Sequence, residues 1–383
     1  MTPANKYPFV FVHGMFGWGD AIGIDKAAPY WGGTTGHLID FLKGCNYECY
    51  TASVGPISSA WDNACELYAQ LTGTRVDYGE AHSKAHGHKR FGRTYSAPLC
   101  QGFGERKLHL IGHSHGGQVI RLLAHLLTNG DEAETSLTDP AEISPLFTGG
   151  KEDFIASITC ICTPNNGSTL YEVAEKHHFV YPIERLSHLV MGAVGRTSIH
   201  GKYVDYQFEQ FGLTPVRDEF EADRLITAIN RIHDSKDYVI ADLSIEGACK
   251  LNNLIDISKS IYYFSYPANG CAANTHMPDN IRFPFLRLFS RAMRQLSFTE
   301  EYGTVKLDES WIDNDGLVNT ISARHPFDEP AKEFDGSIDT GIWNIMPTLI
   351  CDHGMSTGLL ANKKKLQGFY INLLRMLMKL EAK

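Results

Sequence analysis

The strongest constraint on the fold is a serine between glycines that separates an apolar run from a helical run. The apolar run "KLHLI" occupies residues 107–111, "GHSHG" follows at 112–116, and "GQVIRLLAHLL" continues to residue 127. Small residues two positions before and after a serine permit a sharp turn that exposes the hydroxyl at the end of a strand. The pattern predicts a strand, a turn and a helix, with Ser114 as a candidate nucleophile. A structural turn in a glycine-rich loop is the alternative.

Apolar runs alternate with helical patterns along most of the chain. The apolar runs begin at residues 8, 47, 107, 154, 260 and 345, and the helical patterns begin at 35, 58, 116 and 364. This alternation is typical of a mostly parallel sheet with helices on both faces. Residues 72–106 are rich in histidine and glycine, which indicates an insertion, and residues 168–235 show helical patterns that indicate a cap or lid. We expect one α/β domain over residues 1–383 that carries both.

Composition excludes several kinds of partner. The formal net charge is −9, and no long block of Lys or Arg is present, so we expect no nucleic-acid partner. The most apolar stretches are short and contain charged residues, so we expect no transmembrane anchor. The first residues do not resemble a signal peptide, and nine cysteines without a close spacing pattern suit free thiols. These two features favour a cytoplasmic location.

A nucleophilic serine needs a base and an acid, which follow it as Asp or Glu and then His in folds with this turn. His353 follows the apolar run "IMPTLIC" and precedes the last helical pattern, where the sheet's carboxyl edge is expected. His276 and His325 lack this setting. For the acid, "WIDNDG" offers Asp313 and Asp315, and an ordinary solvated loop carboxylate is the alternative.

Two backbone N–H groups are expected to bind the oxyanion. A strand followed by a flexible loop, as in "FVFVHGMFG" at residues 9–17, can direct one N–H at the reaction centre. The residue after the nucleophile supplies the second. Met15 and His115 are therefore the candidate oxyanion-hole residues, and an ordinary buried methionine is the alternative for Met15.

With these segments in view, the chain resembles the bacterial true lipases of the staphylococcal and thermophilic-bacillus kind. The resemblance runs from about Pro8 to His353 and rests on "FVFVHGMFGWGD", "YWGG", "HLIGHSHGGQ", "TPNNGSTL", "DLSIEGACKLN", "NDGLVNTISARHPF" and the long block from "VGPISSAWDN" to "KRFGRTY". It implies an α/β-hydrolase fold and cleavage of carboxylic esters of glycerol and long-chain acids. It also implies that Ser114 is the nucleophile, Asp315 the acid and His353 the base.

The insertion contains candidate metal ligands. His82, His86 and His88 lie close together, and Asp62 lies on an expected helix. Histidine and carboxylate groups bind zinc, and the residues alone would also allow His82 with His86, one helical turn apart. The resemblance instead implies a structural zinc held by four ligands: Asp62, His82, His88 and Asp242. A solvated histidine-rich loop is the alternative.

The chain departs from the family at its calcium site. The family's acidic calcium ligands follow the catalytic histidine by two and seven residues, where this chain has Met355 and Leu360. Calcium requires oxygen ligands that these side chains lack, so we expect no calcium there.

The sequence thus predicts a lipase that acts on lipid esters at a lipid–water interface through a Ser–His–Asp acyl-enzyme mechanism. The stretch 179–195 has a broad apolar face, which suits a lid helix that opens against lipid or, alternatively, a core helix. A short-chain carboxylesterase of the same fold is one alternative function, and a non-catalytic fold that binds lipid or a partner is another. The family resemblance favours an extracellular location, against the cytoplasmic features above.

Overall fold

A computed structural model of the chain describes residues 4–176, 207, 209–211, 234–294, 301–302 and 304–381. Most of the expected lid, residues 168–235, lies outside these described residues, including the apolar stretch 179–195. The lid stays a prediction.

A central sheet of seven parallel strands organises the described chain. The described strands are β1 (Phe9–Val12), β2 (Cys49–Ala52), β3 (Arg75–Asp77), β4 (Phe91–Thr94), β5 (Leu108–His113), β6 (Ile155–Ile161), β7 (Tyr262–Tyr266), β8 (Glu301–Tyr302), β9 (Val305–Lys306), β10 (Ala331–Glu333) and β11 (Trp343–Ile345). The central sheet has the order β10, β11, β7, β6, β5, β1, β2, and each neighbouring pair is parallel. The carboxyl ends of all seven strands therefore share one edge, where active sites of open α/β sheets lie.

Helices cover both faces of this sheet. They are α1 (Leu38–Gly44), α2 (Ala60–Thr72), α3 (Glu80–His86), α4 (His115–Asn129), α5 (Glu132–Leu137), α6 (Thr169–Lys176), α7 (Val239–Leu243), α8 (Ile245–Leu254), α9 (Pro284–Met293) and α10 (Lys363–Leu377). Side chains of β1 alternate between the faces, as expected for a strand. Val10 and Val12 pack with residues of α2 and α4, whereas Phe9 and Phe11 pack with residues of α1 and α10. The predicted parallel sheet with helices on both faces is confirmed.

The expected insertion, residues 72–106, contains local structure of its own. Strands β3 and β4 pair antiparallel, and the short helix α3 lies between them in the chain. Ser59 caps the N-terminus of helix α2, which precedes the insertion, and its hydroxyl accepts a hydrogen bond from the Asp62 N–H. Gly73 caps the C-terminus of α2 and has the left-handed φ of 67° that glycine adopts without strain.

The strand expected from residue 345 onwards is displaced toward the N-terminus. β11 spans Trp343–Ile345, and the chain then leaves regular pairing. Pro347 follows two residues later and has no N–H to donate to a ladder, which explains why the strand ends early. The neighbouring short strand β10 was missed in the sequence pattern because only three residues pair.

All nine cysteines are free thiols, and six of them are buried. Among the helices that the structure describes, none combines the length and the apolar character needed to cross a membrane.

Candidate active site

Ser114 lies at the turn between β5 and α4, on the carboxyl edge of the sheet. Its backbone adopts φ 56° and ψ −129°, a left-handed conformation that is strained for a residue with a Cβ. The Ser114 N–H donates to the Ile161 carbonyl over 2.9 Å, and the Gly117 N–H donates to the Ser114 carbonyl over 3.0 Å. The Ser114 side chain makes no capping hydrogen bond to the helix that it precedes. Its hydroxyl is therefore not committed to helix capping.

The glycines of this turn allow three backbone segments to approach closely. A Cβ on Gly112 would lie 2.5 Å from the Gly116 carbonyl carbon, and a Cβ on Gly116 would lie 2.4 Å from the Val12 carbonyl oxygen. Both distances are shorter than real Cβ contacts, so a larger residue at either position would push strand and helix apart. The spacing in "GHSHG" is thus a packing requirement of the turn.

His353 and Asp315 form a buried hydrogen-bonded pair. The His353 Nδ1 lies 2.8 Å from the Asp315 Oδ2. The other carboxylate oxygen accepts hydrogen bonds from the N–H groups of Leu317 and Val318, at 3.0 and 2.8 Å. Because an ionised carboxylate only accepts, Nδ1 carries the proton and Nε2 keeps its lone pair. This arrangement suits a histidine that takes up a proton at Nε2.

His113 connects this pair to the loop after β1. The Gly14 N–H donates to the Tyr30 hydroxyl over 2.9 Å, and the hydroxyl lies 2.6 Å from His113 Nδ1. The His113 Nε2 lies 3.3 Å from the His353 carbonyl oxygen, and the two imidazole rings are 4.6 Å apart. Burial and the neighbouring His353 hold the pKa of His113 well below its usual range, so this ring is neutral. With both of its nitrogens engaged, His113 positions other groups and does not serve as a base.

The loop after β1 lies beside the serine turn because β1 pairs with β5 and Val12 lies opposite Gly112. On either side of Met15, backbone N–H groups are used internally: Gly14 donates to Tyr30, and Phe16 donates to the Pro56 carbonyl. Among the described residues, the Met15 N–H donates to no other protein group. It is therefore available for a ligand.

His115 is the first residue of α4 and is buried. The first N–H groups of a helix lack partners within the helix and carry its positive dipole end. The His115 backbone thus suits an oxyanion, as the sequence predicts. Its side chain does something else: Nε2 lies 3.4 Å from the Asp242 carboxylate.

His276 and His325, which lack the sequence setting expected of the base, have other partners. His276 Nδ1 lies 2.7 Å from Asp313 Oδ1, so this candidate base and this candidate acid pair with each other. This pair is partly exposed, with side-chain accessibilities of 42% and 28%. His325 Nδ1 contacts the Pro326 carbonyl at 2.6 Å. Of the two acids in "WIDNDG", Asp315 rather than Asp313 therefore meets His353.

A second cluster of histidines and carboxylates lies between α2, α3 and the segment before α7. Asp62, His82, His88 and Asp237 each offer a donor atom within 4.8 Å of the others. The Asp237 Oδ2 is 3.2 Å from Nε2 of both histidines, and the Asp62 Oδ1 is 3.4 Å from His82 Nε2 and 3.9 Å from His88 Nε2. Two histidines and two carboxylates form a donor set that suits a tetrahedral metal ion.

Unpartnered buried atoms in this cluster support a metal ion. His88 Nδ1 contacts the Lys89 carbonyl at 2.9 Å, which leaves the Nε2 lone pair directed at the carboxylates. His88 Nε2 and Asp62 Oδ1 are buried and have no hydrogen-bond partner. Burial and the neighbouring Asp237 raise the pKa of Asp62. Despite burial, the neighbouring carboxylates of Asp237 and Asp62 raise the pKa of His82 to about 10. Positive charge nearby stabilises these buried carboxylates, and protonation of His82 or a bound cation would supply it.

Of the four predicted ligands, the structure brings Asp62, His82 and His88 together, and it places Asp237 rather than Asp242 beside them. The Asp242 Oδ2 accepts a hydrogen bond from the Ala60 N–H over 2.6 Å at the start of α2. The same oxygen faces His115, as described above. Asp242 lies within α7, whereas Asp237 lies before that helix and points toward His82 and His88. Sequence reasoning missed Asp237, although "DSKDYV" carries it only five residues upstream.

Met355 and Leu360, at the positions of the family's calcium ligands, take part in backbone contacts. The Met355 N–H donates to Asp352 Oδ1 over 2.9 Å. The Leu360 carbonyl accepts a hydrogen bond from the Arg282 guanidinium over 2.8 Å. A positively charged side chain thus lies beside this segment, and the expected lack of calcium stays a prediction.

Comparisons with known proteins agree with this architecture. A family model described as "Lipase-like, C-terminal domain" matches residues 5–383. The lipase of Staphylococcus hyicus is 36% identical over 359 residues, which cover 91% of this chain and 53% of that protein. The chain spans about half the length of the curated relatives that it matches.

Solved structures are similar over almost the whole chain. The crystal structure of Staphylococcus hyicus lipase has a TM-score of 0.83 and 33% identity, covering 98% of this chain and 96% of that chain. EstA from Clostridium botulinum has a TM-score of 0.83 and 34% identity, covering 99% and 89%. Lipase 1 from Pelosinus fermentans has a TM-score of 0.82 and 34% identity, covering 98% and 99%. The predicted α/β-hydrolase fold is confirmed, and the chain belongs to the bacterial lipase family that the lipase-like, C-terminal domain defines.

Proposed function

We propose that this chain hydrolyses carboxylic esters of long-chain acids at a lipid–water interface, with Ser114 as nucleophile, His353 as base and Asp315 as the orienting acid. The observation that carries the proposal is the strained Ser114 turn at the start of α4, with the buried His353–Asp315 pair beside it. Membership in the lipase family supports the same chemistry and the same class of substrate.

The proposed reaction proceeds through an acyl-enzyme. His353 Nε2 accepts the Ser114 hydroxyl proton while the Ser114 oxygen attacks the ester carbonyl carbon. The N–H groups of Met15 and His115 stabilise the oxyanion that forms. The intermediate then collapses: the carbon–oxygen bond to the alcohol breaks, and the alcohol leaves with the proton from His353. Water attacks the acyl-enzyme in the same way, with His353 as base, and releases the acid.

We further propose that Asp62, His82, His88 and Asp237 bind a structural zinc ion. A bound zinc ion would neutralise the two carboxylates and cross-link α2, α3 and the segment before α7. The buried and unpartnered Asp62 Oδ1 and His88 Nε2 support this assignment. The ligands leave no role for the ion in the ester chemistry, because all four positions of a tetrahedral site would be filled by protein groups.

The decisive experiment compares the chain with its Ser114→Ala variant on esters of increasing acyl length. We expect kcat/KM to fall by at least about three orders of magnitude in the variant, because the nucleophile is lost. A serine-directed phosphonate probe should label the parent protein at Ser114 and leave the variant unlabelled. A rate that peaks at short acyl chains would favour the carboxylesterase alternative. An unlabelled parent protein would contradict the proposal and favour a binding role.

A further inference from the structure

Helix α9 exposes large apolar side chains on one flank. Leu286, Ser290 and Met293 face the body of the protein and are buried. Phe285 and Leu288 project away from it and are 62% and 59% exposed. Isolated exposed apolar residues are common, but a cluster of them marks a surface that binds another apolar phase.

The apolar surface continues from α9 toward the segment that carries His353. Met277, Ile350 and Leu360 are also exposed, to 39%, 66% and 39%. Arg294, after the end of α9, donates to the Met277 sulfur over 3.2 Å, and Arg282, before its start, donates to the Leu360 carbonyl. Met277 and Leu360 are therefore linked to the residues that flank the two ends of α9.

This surface is also joined to the active site. The Arg282 N–H donates to Asp352 Oδ2 over 2.7 Å, and Asp352 immediately precedes His353. On its inner side, Leu286 packs close to Gly316, where an added Cβ would lie 2.7 Å from the Leu286 Cβ. Gly316 follows Asp315 directly. Helix α9 thus lies against the loops that carry both the proposed base and the proposed acid.

Positive charge accompanies the apolar side chains. Residues 280–294 contain Arg282, Arg287, Arg291 and Arg294 and no Asp or Glu, in a chain whose net charge is −9. Phe285, Leu288 and Arg291 follow one another at three-residue spacing, which places them along one flank of the helix. Arg291 is exposed and forms no ion pair with any carboxylate in the described part of the chain. We call Arg282, Phe285, Leu288, Arg291 and Arg294 the α9 ridge.

We propose that the α9 ridge docks the protein on the surface of a bilayer that contains anionic phospholipid. The inference rests on the proposed function and names the surface that presents the active site to its substrate. Aromatic and aliphatic side chains insert at the headgroup boundary, while arginines beside them are attracted to the negative surface potential. Because α9 lies against the Asp315 and His353 loops, docking through the ridge brings the active-site edge of the sheet to the lipid.

A second copy of the chain suits this ridge less well. In a two-fold symmetric dimer the same patch meets itself, so the arginines of the two copies would face one another. Like charges in such contact oppose association. An anionic lipid surface attracts the same arginines. This difference in electrostatic interaction favours lipid over a second copy of the chain.

The test measures vesicle binding in the Ser114→Ala background, so that lipid is not consumed during the measurement. Flotation with vesicles of phosphatidylcholine alone, or mixed with phosphatidylglycerol, reports the partition coefficient. We expect binding to prefer the anionic vesicles and to weaken at high salt. The Phe285→Ser/Leu288→Ser variant should lose roughly ten- to a hundredfold in partitioning, because two apolar side chains no longer leave water. Arg291→Glu should lose roughly tenfold on anionic vesicles only.

Two variants on other surfaces serve as matched controls. Leu137→Ser removes an exposed leucine at the end of α5, and Lys259→Glu reverses a charge before β7, at the amino end of the parallel sheet. Both should bind vesicles like the parent protein. Equal binding by the ridge variants and these controls would overturn the proposal, as would binding that ignores phosphatidylglycerol. A dimer that the ridge variants dissociate, with vesicle binding unchanged, would assign the ridge to a second copy instead.

Hydrolysis of a water-soluble short-chain ester separates the two proposals. With Ser114 restored, the ridge variants should hydrolyse this ester at the parent rate, because no interface is involved. Loss of vesicle binding together with unchanged soluble-ester hydrolysis supports the ridge. A parent protein that hydrolyses no ester contradicts the proposed function, whereas a parent protein that hydrolyses esters but does not bind anionic vesicles contradicts only the ridge.

Discussion

Two clusters in this chain use the same residue types, and we propose a different role for each. In the active site, one histidine meets one carboxylate, and backbone N–H groups satisfy the carboxylate's other oxygen. In the metal cluster, two buried carboxylates face two histidines, and buried atoms on both sides lack hydrogen-bond partners. The first arrangement is complete without an ion, whereas the second is not. The balance of carboxylates and donors, rather than the presence of His and Asp, separates a base from a metal site.

Asp242 lies between these two regions. Its carboxylate accepts the Ala60 N–H at the start of the helix that carries Asp62, and it faces the side chain of His115 at the oxyanion position. A single acid on α7 thus contacts an element of each cluster while belonging to neither.

The largest expected effect is a loss of activity in a variant of the proposed active site. Asp315→Asn should lower kcat/KM for a soluble ester by roughly ten-thousandfold, because an amide in place of the carboxylate favours the wrong His353 tautomer. The amide oxygen can still accept the Leu317 and Val318 N–H groups, so the fold should persist. Steady-state kinetics and thermal unfolding measured on the same preparation check both statements. A variant that keeps most of its activity would remove Asp315 from the proposed mechanism.

The second prediction concerns the metal cluster and distinguishes the two aspartates. Asp237→Ala should abolish metal binding, whereas Asp242→Ala should retain it, because only Asp237 contacts both histidines. Removal of Asp237 takes one partner from a buried network of two carboxylates and two histidines and should lower the free energy of unfolding by roughly 3–5 kcal/mol. Elemental analysis of tag-free protein and denaturant unfolding provide the measurements.

A chelator should reproduce the Asp237→Ala destabilisation in the parent protein, and added zinc should reverse it. Tag-free protein that contains no zinc, or equal metal content in both aspartate variants, would contradict the proposed site.

The two clusters also differ in how far the sequence could predict them. The Ser114 turn depends on glycine spacing within five residues, so it could be read directly from "GHSHG". His88 joins His82 only because α3 ends at His86 and Gly87, with a φ of 71°, reverses the chain direction. That local reversal is hard to infer from spacing, and one-turn spacing alone equally favoured His86. His86 instead contacts the Ser235 carbonyl.

Contacts between residues far apart in the chain are even harder to predict from the sequence. Asp237 and Asp242 lie in one short segment, and nothing in their local sequence states which one faces α3. The start of α7 decides this, since Asp242 lies inside that helix and Asp237 before it. The local sequence likewise leaves two candidate acids for His353, Asp313 and Asp315, and the family resemblance selects Asp315. The lid over residues 179–195 stays a prediction.

The smallest expected effect on activity and stability comes from the His276–Asp313 pair. It tests whether burial, in addition to hydrogen-bond distance, distinguishes the proposed base. His276 and Asp313 are 2.7 Å apart, as close as His353 and Asp315, but their side chains are partly exposed. An exposed pair is screened by solvent and contributes roughly 0–1 kcal/mol. His276→Ala should therefore leave kcat/KM within about twofold of the parent and shift stability by no more than about 1 kcal/mol. His353→Ala, measured beside it, should remove activity, and a similar loss in the two variants would contradict the assignment of His353 rather than His276 as the base.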